Sequence, residues 1–214
     1  MKRPLLAAVI AGLLVGGAVT AVLVVGWSDK ADTVTGTAAA RQFVTEWERS
    51  RRGTYHSEGT FERRMTSGST LRSHVETVQR PPDYLRVEFN GVDGVINGRR
   101  VICSNDPKGI AQCRQSGTRV DFEKELAGEM KNWTNYFIGS VPLYIVSTTG
   151  DGCFDLKLSR AYLLPPYGYH TRFCFDDATG AITYTKVENS TYTEVTKATR
   201  VTPQVTAADF RLPG

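Results

Sequence analysis

Histidine is scarce in this chain of 214 residues, which holds His56, His74 and His170 and no others. None of the three shares a metal-binding or catalytic spacing with Cys, Asp or Glu. His56 and His74 fall on the polar faces of expected strands, where exposed imidazoles are the ordinary outcome. No Gly-x-Ser-x-Gly, His-Glu-x-x-His or Walker-type loop occurs, so the commonest hydrolase, metalloprotease and nucleotide-binding chemistries lose their signatures. Cys-x-x-Cys is missing as well, which argues against a redox pair or a zinc ribbon. Asp176 and Asp177 are adjacent carboxylates, but they stand in a turn sequence where Asp is favoured for local hydrogen bonds. Charge of one sign is also lacking. The formal charge is +4, and Lys2 and Arg3 supply two of the 26 basic residues that stand against 22 acidic ones. That balance is too even to imply a nucleic-acid partner. The expectation is a protein that is not an enzyme and has neither cofactor nor metal.

What the chain does have is one long apolar run. Residues 5–27 are Leu, Ala, Val, Gly and Ile with a single Thr and a closing Trp27, flanked by Lys2 and Arg3 before and Asp29 and Lys30 after. As a helix this run is about 34 Å long, enough to cross a hydrocarbon core of about 30 Å. Lys2 and Arg3 would keep the short end inside. Residues 1–27 are therefore expected to be a cytoplasmic stub and transmembrane anchor, 28–36 a linker, and 37–214 an extracytoplasmic domain. The expected location is the cell membrane, crossed once, with the membrane itself as a partner. A cleaved signal peptide is the competing reading, but its one candidate site, Val19-Thr20-Ala21, lies inside the run, which is also longer than a usual signal core. No cysteine lies near the end of the run, so the bacterial lipoprotein route is not expected.

All four cysteines fall in the exported part, where an oxidising compartment favours disulfides. Spacing prefers Cys103 with Cys113 and Cys153 with Cys174. The second pair also follows from register. If Cys153 faces Cys174 across an antiparallel hairpin, Phe154 faces Phe173, Asp155 faces Arg172 and Leu158 faces Tyr169. The apolar residues then share one face, and the cysteines share the other with an Asp-Arg pair.

Along the rest of the chain the hydrophobic period identifies the elements. Ala40, Phe43, Val44 and Trp47 predict an amphipathic helix from about Thr37 that stops at Gly53. The period then becomes two. Tyr55, Gly59, Phe61 and Met65 predict a first strand, Leu71 and Val75 a second that Pro81-Pro82 interrupts, and Leu85, Val87 and Phe89 a third. Asn97-Gly98 signals a hairpin that leads through Cys103 and back through Cys113. Phe122, Leu126, Met130, Trp133 and Phe137 recur at helical spacing in a second helix. Strands resume at 143–147, 153–159, 169–175, 181–187 and 192–201. Nine or ten strands and two exported helices make an α+β domain with an antiparallel sheet. The basic cluster of Arg49, Arg51, Arg52, Arg63 and Arg64 is expected to be a solvated face.

The order helix, meander, helix, meander resembles the family of the bacterial outer-membrane lipoprotein carrier, which includes mycobacterial lipid-binding lipoproteins. The residues that carry the resemblance are Arg80-Pro81-Pro82-Asp83-Tyr84-Leu85-Arg86-Val87-Glu88, the hairpin Asn97-Gly98-Arg99-Arg100-Val101, and the turn from Phe175-Asp176 to Gly180-Ala181. It implies an incomplete, strongly curved barrel with helices on its concave side enclosing an apolar cavity. The helix stripe Phe122, Leu126, Met130, Trp133 and Phe137 would line that cavity from one side. Tyr55, Phe61, Leu71 and Val75, with Leu85, Val87 and Phe89, would line it from the sheet. The implied function is a membrane-anchored binding module for a lipid or acylated peptide, with a lipid or lipoprotein as partner. The alternative is an envelope-sensing or protein-interaction module with a filled core and an envelope protein as partner.

Overall fold

A computed structural model describes residues 35–89, 91–105, 111–150 and 152–212. The expected anchor at 5–27 lies outside the described residues, and among those described no helix is long and apolar enough to cross a membrane. Helix α1 (Thr37–Arg52) is followed by six strands: β1 (Tyr55–Met65), β2 (Thr70–Arg80), β3 (Asp83–Glu88), β4 (Gly91–Ile96), β5 (Arg99–Asn105) and β6 (Ala111–Arg119). Helix α2 (Phe122–Phe137) then leads to β7 (Tyr144–Thr149), β8 (Cys153–Leu158), β9 (His170–Phe175), β10 (Ile182–Glu188) and β11 (Tyr192–Thr202), and a 3-10 turn (Ala207–Phe210) follows.

The strands form one open antiparallel sheet in the order β6-β5-β4-β3-β2-β1-β11-β10-β9-β8-β7. Two meanders are thus joined where the first strand pairs with the last. Because β6 and β7 are the two edges, α2 is the crossing from one edge to the other. Eleven strands at about 4.8 Å spacing would be about 48 Å across if flat. Helix α2 has 16 residues and is about 24 Å long. The segment after it folds back, with the Leu143 amide donating to the Tyr136 carbonyl, and adds little reach. A sheet whose edges are bridged this way has to curl, which gives the half-barrel.

Glycine permits the tightest approaches in that curl. A Cβ on Gly59 would come within 2.3 Å of the Lys197 carbonyl, beside the bulge between β1 and β11, and one on Gly94 within 2.3 Å of the Tyr84 carbonyl. The expected hairpin is present, with Asn97 and Gly98 at φ of 53° and 71°.

Two packed clusters stabilise the sheet on opposite faces. On the concave side, α1 and α2 lie over β7–β9, where Phe43, Trp133, Phe137, Tyr144, Leu156 and Phe173 are buried together. Phe43 sits at the centre, with its ring 4.9 Å from Trp133 and 5.3 Å from Phe137 in edge-on contacts. On the convex side, Val78, Leu85, Val92 and Val101 pack under Phe210, and Val205 and Leu212 close the margin.

Both expected disulfides are present, Cys103–Cys113 and Cys153–Cys174. The expected β8–β9 register holds: Cys153 faces Cys174, Phe154 faces Phe173, and Asp155 faces Arg172, which it accepts through two hydrogen bonds of 2.8 Å. Ile182 faces Phe175. Three corrections also emerge. There are eleven strands, because Gly91–Ile96 is a strand of its own. Leu85 and Val87 face the convex cluster, because the C-terminal segment supplies an apolar cover there. His56 is half-buried, with Nε2 2.7 Å from a Glu76 oxygen. The basic cluster is mostly solvent-exposed and is laced with ion pairs, in which Arg49 meets Glu46, Arg51 meets Glu129, Arg52 meets Glu48 and Glu123, Arg63 meets Glu194, and Arg64 meets Glu62.

Candidate functional site

The helices cover only part of the concave face. Over β1, β2, β3, β10 and β11 the sheet instead walls a trough of about 370 Å³. Its lining mixes the apolar Phe61, Val75, Ile182 and Val187 with the hydroxyls of Ser57, Thr77, Thr185 and Thr196. Trp47 and Phe173 close one end, and their rings stand 5.7 Å apart at the margin of the aromatic core. The ion pairs Arg63–Glu194 and Arg86–Glu88 belong to the same lining. Arg63 lies 4.9 Å over the Tyr192 ring.

A second cavity of about 350 Å³ lies toward the helices and shares Trp47, Tyr55, Thr77, Arg86 and Ile182 with the first. Its helix side is held by one carboxylate. Glu129 of α2 accepts from Trp47 Nε1 and from Arg51 Nε of α1, each at 3.1 Å. Gln79 fixes the opposite wall. Its side chain is buried, and its amide donates to the carbonyls of Ser50 (2.5 Å), which also accepts from the Gly53 amide, and of Gly53 (3.0 Å), at the end of α1 where intrahelical donors run out. Arg49 anchors the same helix end by donating to the carbonyls of Asp176 and Asp177.

Electrostatically the site is closer to neutral than its charged lining suggests, because each arginine has a carboxylate beside it. Burial raises the phenol of Tyr55 above the usual tyrosine value and pushes that of Tyr167 up to about 12, so both remain protonated donors. Among the described residues no group of three or more His, Cys, Asp or Glu side chains could hold a metal ion.

Of the expected lining residues, Tyr55, Phe61 and Val75 reach the trough. Leu85 and Val87 are on the other face. Leu71 is exposed near the start of β2, and Phe89 is exposed at positive φ with its ring 4.8 Å from Phe61. Phe122 belongs to a separate, shallower groove with Pro81, Pro82 and Arg52. Trp133 and Phe137 are fixed in the aromatic core, Met130 packs at its edge, and Leu126 is fully buried, so the expected helix stripe is structural. Trp133 alone of that stripe also borders the second cavity. The sequence reading missed the polar lining residues, Thr77, Arg86 and Thr185 among them. Strand alternation puts Arg86 opposite Leu85 and Val87, which it assigns to the core, whereas Thr77 is in phase with Val75 and is passed over only because it is polar.

No family model matches the chain, and no curated protein matches it. Among solved structures, it is similar to a LolA superfamily protein from Nitrosomonas europaea, with 5% identity over 79% of this chain and 96% of that one and a TM-score of 0.35. It is also similar to a putative outer membrane lipoprotein-sorting protein domain from Vibrio parahaemolyticus, with 6% identity over 80% and 97% and a TM-score of 0.32. Both are of the kind that the sequence resembles. At these TM-scores neither carries the trough or a ligand over to this chain.

Proposed function

We propose that residues 37–214 form an extracytoplasmic binding module whose trough takes one acyl chain of a lipid or acylated peptide, and that residues 1–27 hold the module at the membrane. The observation that supports this is the uncovered half of the concave face. Natural sheets bury an apolar face against another element. Here two helices bury one half completely, yet Phe61, Val75, Ile182 and Val187 border open volume. A volume of about 370 Å³ lies at the small end of the range of about 300–1,000 Å³ typical of ligand pockets. It suits a single chain better than a many-chained lipid. The paired arginines and the hydroxyls would meet the polar end of the ligand without presenting a net charge.

Thr77 lines both cavities, so Thr77→Trp should fill the trough from the middle. The full chain, held in an amphipathic polymer with lipid removed, is titrated with a naturally fluorescent polyene fatty acid. Saturable binding by the wild type, at least about tenfold weaker in a Thr77→Trp variant with unchanged thermal unfolding, is expected. A folded wild type that leaves the fatty acid in water would overturn the proposal and favour the interaction module.

A further inference from the structure

The most exposed large apolar residues lie away from the trough, in the segment between β8 and β9. Leu163 is 90% exposed and Leu164 80%, with Tyr162 beside them at 49%. Val141, at 62%, joins them at the root of this loop, because the Ser159 hydroxyl donates to the carbonyl of the adjacent Pro142. Scattered exposed leucines need no explanation, but two nearly bare ones in succession with a tyrosine and a valine form a patch.

The root of the loop is rigid. The Tyr144 hydroxyl donates to the Gly168 carbonyl and accepts from the Tyr167 amide, each at 3.0 Å. The Tyr167 ring stacks on Trp133 at 4.1 Å. Gly168 has φ of +72°, and a Cβ there would meet the Glu188 carbonyl at 2.6 Å. The core therefore holds the base of the loop and presents its tip outward, where Leu163 and Leu164 are almost bare.

Charge selects the occupant. Lys157, exposed near the end of β8, and Arg160, exposed at the start of the loop, precede the tip and have no carboxylate partner among the described residues, while the nearby acids are taken: Asp155 by Arg172, and Glu188 by Lys186. Tyrosine and leucine preceded by free cations suit the boundary of an anionic bilayer, where the rings and alkyl groups enter and the cations stay among the headgroups. The chain's course agrees. Thr35 bridges to Ser147 on the β7 edge, about 13 Å of strand away from Leu143, whose carbonyl accepts from the Ser159 amide at the root of the loop. The seven residues 28–34 allow a span of at most about 25 Å between Thr35 and an anchor at 5–27.

We propose that the loop Tyr162-Leu163-Leu164, with Lys157 and Arg160, docks on the anionic surface of the membrane. The proposal uses the anchor reading only for this reach and makes no use of the trough, so an empty trough leaves it standing. The test places a spin label at Leu163→Cys in the full chain, labelled without reductant and reconstituted in bilayer discs with or without phosphatidylglycerol in phosphatidylcholine. A second label at Ser67→Cys, in the turn between β1 and β2, serves as the reference. In anionic discs the label at 163 should collide more with oxygen than with a water-soluble nickel complex, while the label at 67 stays aqueous. Lys157→Glu with Arg160→Glu should return position 163 to the aqueous pattern. An aqueous pattern at 163 in anionic discs would overturn the proposal and leave a protein or a second copy as the occupant. Equal immersion in phosphatidylcholine alone would overturn its anionic part.

Discussion

Strands β7–β9 lose their concave side to α1 and α2 in a dense aromatic core, whereas β1–β3 and β11 turn theirs toward a trough, and on the opposite face the apolar residues of β2–β5 are buried under Phe210, Val205 and Leu212. One sheet thus carries two different solutions to the same problem. In the covered half the volume between sheet and helices is filled by rings at 4.9 to 5.9 Å around Phe43. In the other half stability comes from the convex face, which frees the concave face for a ligand. The difference separates residues that fold the domain from residues that could serve a ligand, and it moves α2 from the second group to the first.

The largest expected effect breaks the covered half. Trp133→Ala should cost about 3–5 kcal/mol in denaturant unfolding, the range for losing a large buried aromatic side chain. Phe61→Ala, at the border of open volume, should cost clearly less; equal costs would erase the contrast. Removing the Cys153–Cys174 bridge by double serine substitution should cost about 3 kcal/mol in the chain-entropy view, and Cys103–Cys113 slightly less, since they close loops with separations of 21 and 10 residues. Peptide mapping before and after reduction, paired with unfolding curves, checks both. Gln79→Leu comes next, at about 1–3 kcal/mol, because the Gly53 carbonyl loses its side-chain donor and that of Ser50 keeps only the Gly53 amide. It should also weaken fatty-acid binding, since that helix end forms a wall of the second cavity.

The smallest effect is on acid stability. Hydrogen bonds from Arg172 hold the Asp155 carboxyl below the usual carboxylate range, and those from Thr179 do the same for Asp176. A lowered native value means that the unfolded chain binds the proton more readily. Their contribution is therefore present above the unfolded value of about 3.9 and is lost as pH falls through the lower native values. Thermal unfolding from pH 7 to pH 2 should show the loss below about pH 4. Asp155→Asn should flatten it, on the face of the sheet opposite the trough.

These two halves were unequally legible in the sequence. The β8–β9 register could be read because one alignment paired the cysteines, the phenylalanines and the Asp-Arg couple at once. Strand β4 could not, because Gly91, Asp93 and Gly94 interrupt the apolar alternation, and its pairing is instead imposed by β3 and β5 on either side. Alternation correctly grouped Leu85 with Val87, but it does not say which face of a sheet is the concave one. That choice depends on Phe210 and Leu212 returning from the end of the chain. The β1–β11 pairing that brings Arg63 to Glu194 joins the ends of the domain and leaves no local signal. The trough was hidden as well, since its lining mixes Arg86 from a polar position with Phe61, Val75 and the in-phase Thr77 from apolar ones.

The most direct test of the open trough is photo-crosslinking with a fatty acid that carries a diazirine along its chain, applied to the full-length protein and read by peptide mapping. Adducts on the β1 and β2 peptides that hold Phe61 and Val75, lost in Thr77→Trp, are the result expected. A folded protein with adducts confined to α2, or with none, would contradict the account.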